Sequence, residues 1–115
     1  MLRKVLISKI HRATVTSSDL NYEGSITIDE KLIKEAGILP YEEVLVADID
    51  NGNRFTTYII PGGKGEICLN GAAARKVSIG DKVIIMAFGI MEEEAAKRFK
   101  PKIIRVDEHN RPIKP

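Results

Sequence analysis

The sequence is poor in the residues that build disulfides and metal centres. It contains one cysteine, Cys68, so an internal disulfide is impossible. No second Cys and no His stands near Cys68 at the spacing of metal ligands, so we expect no metal site. A single thiol also fits a reducing compartment, and we expect the protein in the cytoplasm.

Long hydrophobic runs are absent as well. The longest, residues 83–91, is shorter than the roughly 20 residues that a membrane-spanning helix needs. Arg3, Lys4 and Lys9 interrupt the first apolar stretch, which a signal peptide would not tolerate. These absences predict a protein that is neither exported nor inserted in a membrane.

The sequence has no block of like charge. Its 18 Lys and Arg residues nearly balance its 16 Asp and Glu residues, which gives a formal net charge of +2. Because proteins that bind nucleic acid usually cluster their basic residues, this pattern predicts no nucleic-acid partner. With 115 residues, of which 43% are apolar, the chain is expected to form one domain over residues 1–115. A core of this size is small, so oligomerisation would add to its stability.

Several segments rich in β-branched and apolar residues predict strands, and turn residues separate them. The predicted strands are residues 5–15, 25–28, 44–49, 55–60, 82–90 and 103–106. Asn51-Gly52-Asn53 predicts a hairpin turn between two of them. Many short strands with few helices predict a mainly β fold, a small closed barrel, because closure removes exposed strand edges.

Helical signals are short. The best is a helix that begins after Asp29 as N-cap and ends before Gly37. Two further short helices are predicted over residues 71–76 and 92–98. Three prolines lie between residues 99 and 115, and we expect a loosely held C-terminal tail at about residues 107–115.

The pair Gly24-Ser25 is informative only through its surroundings, because Gly-Ser alone most often marks an ordinary turn. Three more motifs accompany Tyr22-Glu23-Gly24-Ser25 in order and with compatible spacing. They are Lys9-Ile10-His11-Arg12, Asn51-Gly52-Asn53-Arg54-Phe55-Thr56-Thr57-Tyr58 and Asn70-Gly71-Ala72-Ala73-Ala74. Together they closely resemble the pyruvoyl-dependent aspartate 1-decarboxylases over about the first nine-tenths of the chain, and four motifs are far more specific than one.

The resemblance implies a six-stranded double-psi β-barrel that assembles as a homotetramer, with each active site at a subunit boundary. It implies a precursor that cuts itself between Gly24 and Ser25 into chains 1–24 and 25–115. The Ser25 oxygen would attack the Gly24 carbonyl, and residue 25 would become a pyruvoyl group. That group would replace pyridoxal phosphate in decarboxylating L-aspartate to β-alanine and CO₂, for pantothenate and coenzyme A synthesis. The sequence identifies no maturation partner.

The resemblance also implies roles for individual residues. Ser25 would supply the pyruvoyl group, Tyr58 would reprotonate the carbanion, and Thr57 would stabilise the oxyanion at Gly24. Because aspartate carries two carboxylates, its binding site is expected to contain two cationic side chains, and Arg54 and Lys9 are the candidates. The remaining implied contacts are Gly71, Ala72 and Ala73 with the substrate, and Tyr22, Asn70 and His11 behind them.

Two points complicate this interpretation. Thr57 and Tyr58 are adjacent, so on a regular strand their side chains point to opposite faces. In addition, residues 25–29, 37–40 and 44–46 resemble the strand, helix and strand of small swapped-hairpin barrel transcription regulators, which would make the protein a dimeric DNA binder. The balanced charge and the motifs at residues 54–58 and 70–73 favour the enzyme.

Overall fold

The computed structural model describes residues 1–114, which form eight strands and three short helices. In chain order these are β1 (Leu2–Thr14), β2 (Ser17–Asp19), β3 (Ser25–Asp29), α1 (Glu30–Ala36), β4 (Glu43–Asp48), β5 (Arg54–Gly62), β6 (Ile67–Asn70), a 3₁₀ helix (Gly71–Lys76), β7 (Lys82–Glu92), α2 (Glu93–Arg98) and β8 (Lys102–Arg105). The mainly β class is confirmed, and each predicted strand is present. None of the helices in the described part of the chain is long and apolar enough to cross a membrane.

The strands form one sheet in the order β2-β6-β3-β5-β4-β7-β1-β8. The expected closed six-stranded barrel is not confirmed, because the ladder has eight strands and leaves β2 and β8 as its two ends. β2 follows β1 after only Val15 and Thr16, and it pairs in parallel with β6. β5 joins the two halves of the sheet, because it pairs with β3 on one edge and with β4 on the other. At the opposite side the chain passes from β1 to β2, and Thr16 N donates a hydrogen bond to Ile67 O of β6.

The core lies between the two halves of this sheet. All five residues of β3 are buried, and β5 and β6 pair with its two edges. In β7 buried residues alternate with less buried ones from Val83 to Ala87, as expected for a strand with one face on the core. Burying one such aliphatic side chain contributes about 1.5–3 kcal/mol. β3 is thus held firmly, and the residues at its start are placed by a rigid element.

Helix α1 has the predicted boundaries. One Asp29 carboxylate oxygen accepts a hydrogen bond from Lys31 N at 2.8 Å, and the other accepts from Gly65 N at 2.7 Å. Gly37 ends the helix with φ of 69°, a left-handed conformation that glycine adopts without steric cost. Leu32, Ile33 and Ala36 form the buried face of the helix.

The C-terminal segment differs from the predicted loose tail. Asn110 is buried, and its side chain makes three hydrogen bonds to the main chain of Thr14 and Gly65, at 2.7–2.9 Å. Val106 and Pro112 also form an isolated β-bridge. A single Asn thus anchors the segment through backbone groups at the end of β1 and in the turn between β5 and β6, a contact that local sequence does not reveal. Pro115, the last residue of the predicted tail, lies outside the described residues.

Candidate active site

The Gly24–Ser25 peptide lies at the entrance to β3, beside an open edge of β5. β3 pairs with β5 in parallel from Ile26 opposite Ile59 onward. β4 pairs with the other edge of β5 at residues 54–58. Within the described residues no strand covers the β3-side edge of β5 at residues 54–58, so backbone groups there face an open space. Because β3 and β5 are parallel, the residues that precede Ile26 lie next to this space.

That space is a surface cleft of about 350 Å³. Its lining comes from three segments that the sequence separates widely. The lining residues are Gly24, Phe55, Thr56, Thr57, Tyr58, Ala72, Ala73 and Lys76. Four consecutive β5 residues line the cleft because it runs along the edge of the strand. This arrangement removes the difficulty of placing Thr57 and Tyr58 at one site, since access along an edge does not require both side chains on one face.

Gly71 packs directly on the peptide that precedes β3. Its φ is 65°, and a Cβ placed there would lie 2.7 Å from Gly24 Cα, 2.8 Å from Gly24 N and 3.0 Å from Tyr22 O. Two independent facts therefore require glycine at position 71: the left-handed backbone and the close approach of another main chain. The 3₁₀ helix that starts at Gly71 also brings Ala72 and Ala73 to the cleft.

The Ser25 side chain belongs to a buried polar cluster. Ser25 is 1% exposed; its Oγ accepts a hydrogen bond from Asn70 Nδ2 at 3.0 Å and donates to Glu23 O at 3.0 Å. Asn70 Nδ2 also donates to Thr27 Oγ1 at 3.0 Å. The antiparallel register of β3 and β6 sets Ser25 opposite Asn70, which explains why these groups meet. The hydroxyl of residue 25 is thus held in one orientation before any reaction.

Cys68 completes this cluster, a contact that the sequence interpretation missed by treating Cys68 as a small buried hydrophobe. Its Sγ donates to Asn70 Oδ1 at 3.3 Å. With the Asn70 oxygen engaged, the amide nitrogen points toward Ser25 and Thr27. Tyr22 and Asn70 also line a second cleft of about 300 Å³, together with Thr27 and Cys68.

Tyr58 is half-buried and lies against another aromatic ring. The Tyr41 and Tyr58 rings are stacked, with centroids 6.4 Å apart and an interplanar angle of 30°. Tyr41 is largely exposed and has φ of 70°. Tyr58 also lines the cleft, and the stack restricts the orientation of its ring.

The predicted cations do not line this cleft. Arg54 is exposed at the start of β5, opposite Ala47 of β4. Lys9 and His11 lie on β1, and the order β5-β4-β7-β1 puts two strands between them and Tyr58. Within one chain, the described structure therefore brings together Gly24, Thr57 and Tyr58 without Lys9 or His11.

His11 nevertheless has an unusual environment. It lies at an irregular step of β1 beside Arg12, whose φ is 66°. Its Nδ1 is buried and has no hydrogen-bond partner in the described structure. Burial, followed by the charges of Lys9, Arg12 and Arg105, lowers the pKa of His11 below its usual 6.5. The neutral imidazole is therefore favoured near neutral pH.

Comparison with known proteins settles the family. The aspartate decarboxylase family model matches residues 1–113. The chain belongs to the aspartate decarboxylase family. It is 62% identical over 110 residues to an aspartate 1-decarboxylase of Campylobacter hominis, covering 96% of each chain. It is 58% identical over 116 residues to an aspartate 1-decarboxylase of Desulfitobacterium hafniense, covering 99% of this chain and 91% of the relative. A third aspartate 1-decarboxylase, from Caldicellulosiruptor saccharolyticus, is 60% identical over 116 residues with the same coverage.

Membership in the aspartate decarboxylase family confirms the predicted resemblance and the prediction of an enzyme, a carboxy-lyase. The family match covers the segments that resemble the swapped-hairpin regulators, and it includes the motifs that a DNA binder would leave unexplained. The comparisons therefore favour the enzyme over the DNA-binding alternative.

Proposed function

We propose that this chain converts L-aspartate to β-alanine and CO₂ by means of a pyruvoyl group that it makes from its own Ser25. The observation that best supports this proposal is the position of the Gly24–Ser25 peptide bond. Gly24 lines the cleft with Thr57 and Tyr58, while Asn70 Nδ2 donates a hydrogen bond to Ser25 Oγ. The names of the relatives support aspartate as the substrate.

Self-cleavage begins at Ser25 Oγ, which attacks the Gly24 carbonyl carbon. The C–N bond of the peptide breaks, the hydroxyl proton passes to the departing nitrogen, and an ester replaces the amide. Elimination across the Cα–Cβ bond of residue 25 releases the Gly24 carboxylate and leaves dehydroalanine. Hydrolysis by one water then releases ammonia and gives the pyruvoyl end. Thr57, which shares the cleft with Gly24, is the proposed donor to the oxyanion that forms during attack.

The residues around position 25 fit a carbonyl group there. Asn70 Nδ2 is a buried donor that orients the Ser25 hydroxyl for its attack. The ketone oxygen of the pyruvoyl group would replace the backbone nitrogen of residue 25, on the side of Gly24, and Gly24 lines the open cleft that a substrate amine could enter. A pyruvoyl group at this position supplies an electrophilic carbonyl that accepts the electron pair released when CO₂ leaves. Tyr58 is the proposed proton donor to the carbon that loses CO₂, because Tyr58 lines the same cleft as Gly24.

Arg54 and Lys9 are the proposed partners of the two substrate carboxylates, with Arg54 suited to a bidentate grip on the retained one. Within one chain Lys9 lies two strands away from β5. A site that uses both Lys9 and Tyr58 is therefore best built from two subunits, which supports the proposed homotetramer. One subunit would contribute His11 together with Lys9. Its neighbour would contribute Gly71, Ala72 and Ala73 together with Tyr58.

We further propose that the enzyme works in the cytoplasm and that its product serves pantothenate and coenzyme A synthesis.

Intact mass of the purified protein tests the cleavage. We expect chains 1–24 and 25–115, and borohydride should add two hydrogens to the longer chain. Ser25→Ala should remain a single inactive chain because no oxygen is available to attack. Ser18→Ala is the matched control: this exposed serine of β2 makes no side-chain hydrogen bond within the described structure, so the variant should cleave normally. A wild-type protein that forms β-alanine while it remains one chain would refute the proposal.

Subunit mixing tests the shared site. Lys9→Ala and Tyr58→Phe are each expected to be nearly inactive as pure oligomers. Co-expressed at equal levels, they should form mixed tetramers in which about a quarter of the sites receive both wild-type residues, if each site draws them from different subunits. Mixed oligomers with no more activity than the pure variants would place both residues in the same subunit.

A further inference from the structure

Three acidic side chains converge at the end of the molecule formed by the β4–β5 hairpin and the turn before β7. Asp48 ends β4, Asp50 lies in the hairpin, and Asp81 immediately precedes β7. One carboxylate oxygen from each lies within 4.8 Å of those of the other two. The strand order places β4 beside β7, so these turns are neighbours although about thirty residues separate Asp50 and Asp81 in sequence.

Each carboxylate is fixed in place through one oxygen. Asp48 Oδ1 accepts from Asp50 N at 2.8 Å and from Asn51 N at 3.3 Å. Asp50 Oδ2 accepts from Lys82 N at 2.8 Å, and Asp81 Oδ2 accepts from Ser78 N at 2.9 Å. Asp48 Oδ2 is buried and has no hydrogen-bond partner among the described residues. The backbone hydrogen bonds therefore hold the three carboxylates close together, and the carboxyl groups of Asp48 and Asp81 lie near enough to share a proton.

Asp48 destabilises the folded protein if neither a proton nor a cation lies between the three carboxylates. The residue is 2% exposed, and its Oδ2 is buried without a hydrogen-bond partner in the described structure. A buried carboxylate oxygen that has lost water and gained no donor is strongly destabilising.

The neighbouring cations do not compensate these charges. No ion pair in the described part of the chain involves Asp48, Asp50 or Asp81. Lys82, the basic residue that follows Asp81 in sequence, donates its Nζ to Thr14 Oγ1 at 2.6 Å. Two or three carboxylates that face one another need a proton or a cation between them.

We propose that Asp48, Asp50 and Asp81 bind a hard divalent cation, Ca²⁺ or Mg²⁺, which ties the β4–β5 hairpin to the start of β7. Carboxylate oxygens are the preferred ligands of both ions, and water would complete the coordination. Ca²⁺ lies 2.3–2.6 Å from its ligands, so it bridges oxygens that are up to roughly 5 Å apart. The site is separate from the Gly24 cleft, and it stands independently of the proposed decarboxylation. The sequence analysis expected no metal site because it considered only Cys and His spacing, which does not detect three carboxylates from separate turns.

Thermal unfolding of the full-length protein tests the proposal. The protein is first treated with a chelator and dialysed, and CaCl₂ or MgCl₂ is then titrated at pH 7.5 against NaCl of equal ionic strength. We expect a saturable rise of the Tm by several degrees, and calorimetric titration should give one site per chain. The Ca²⁺ and Mg²⁺ arms show which ion is preferred.

Asp48→Asn and Asp81→Asn keep the side-chain shape and should each weaken cation binding at least tenfold. Because Asp81 is not buried, its variant should fold even if the core variant does not. Glu108→Gln, an exposed acid on the C-terminal segment, is the control and should respond like the wild type. The proposal is wrong if neither ion raises the wild-type Tm above the NaCl control, or if both Asn variants keep the full response. A higher Tm for Asp48→Asn at pH 7.5 with no cation effect on the wild type would identify a shared proton as the occupant instead.

Discussion

Replacing Gly71 with alanine should slow self-cleavage by displacing the Gly24 peptide. The new Cβ would lie 2.7 Å from Gly24 Cα, whereas carbon atoms in contact prefer roughly 3.5–4.0 Å. Main chain cannot bend away as a flexible side chain does, so the Gly24 segment or the 3₁₀ helix must move by about 1 Å. A misplacement of that size costs a positioned reaction about 100-fold in rate. We therefore expect Gly71→Ala to cleave about 100 times more slowly than the wild type.

Gly71→Ala also loses stability from two sources. An L-residue in the left-handed region costs about 1–2 kcal/mol, and overpacking adds about 1–3 kcal/mol. Gly52→Ala is a matched control, because Gly52 has φ of 76° and no atom within 4 Å of an added Cβ. Gly52→Ala should lose only the stability that the left-handed backbone conformation costs, and it should cleave at the wild-type rate.

The assay follows the uncleaved fraction by intact mass over time. Denaturant unfolding is measured separately in the Ser25→Ala background, where both variants stay in one chain. Equal cleavage rates for folded Gly71→Ala and the wild type would refute the steric argument. Equally slow cleavage in Gly52→Ala would attribute the effect to general destabilisation.

Three further predictions concern side chains. Tyr58→Phe keeps the ring but loses the proton, so cleavage should proceed while β-alanine formation falls by roughly 100- to 10,000-fold; pyruvoyl content and turnover are measured on one sample. Arg54→Ala should raise KM for aspartate more than it lowers kcat in steady-state assays, whereas an unchanged KM would remove Arg54 from substrate binding. His11 has a lowered folded-state pKa, so its contribution to stability is complete above pH 6.5 and is lost as the pH falls. His11→Asn should therefore lose less unfolding free energy than the wild type between pH 7.5 and 5, measured by denaturant titration.

The parts of the fold that were predicted correctly depend on local rules. The α1 boundaries follow from an N-cap aspartate and a glycine in the left-handed conformation, and both act within a few residues. The β4–β5 hairpin follows from its Asn-Gly turn. The strands β2 and β6 were not predicted, because they have only three and four residues and little periodicity. The closed barrel was expected from a general tendency of short strands, which does not specify how the chain crosses between sheet halves.

The cluster around Ser25 shows where sequence patterns reach their limit. Alternation along a strand puts Ser25 and Thr27 on one face, and likewise Cys68 and Asn70. Whether these two faces meet depends on the β3–β6 register, which joins residues far apart in the chain. A one-residue slip would turn every one of these side chains to the other face, and nothing local excludes it. Motif resemblance identified Asn70 without the register, while Cys68 lies outside the motif and was missed.

The same reasoning applies to the substrate cations. Lys9 and Arg54 both lie on correctly predicted strands. A side chain on a strand points to one of the two faces of the sheet. The strand order, however, inserts β4 and β7 between β5 and β1, at about 4.8 Å per step across the sheet. Lys9 is thereby kept away from the cleft that Gly24 shares with Tyr58, however its side chain is oriented. If mixing of Lys9→Ala with Tyr58→Phe restores activity, the missing cation comes from a second copy of the chain, and the separation of β1 from β5 is the reason that the enzyme needs one.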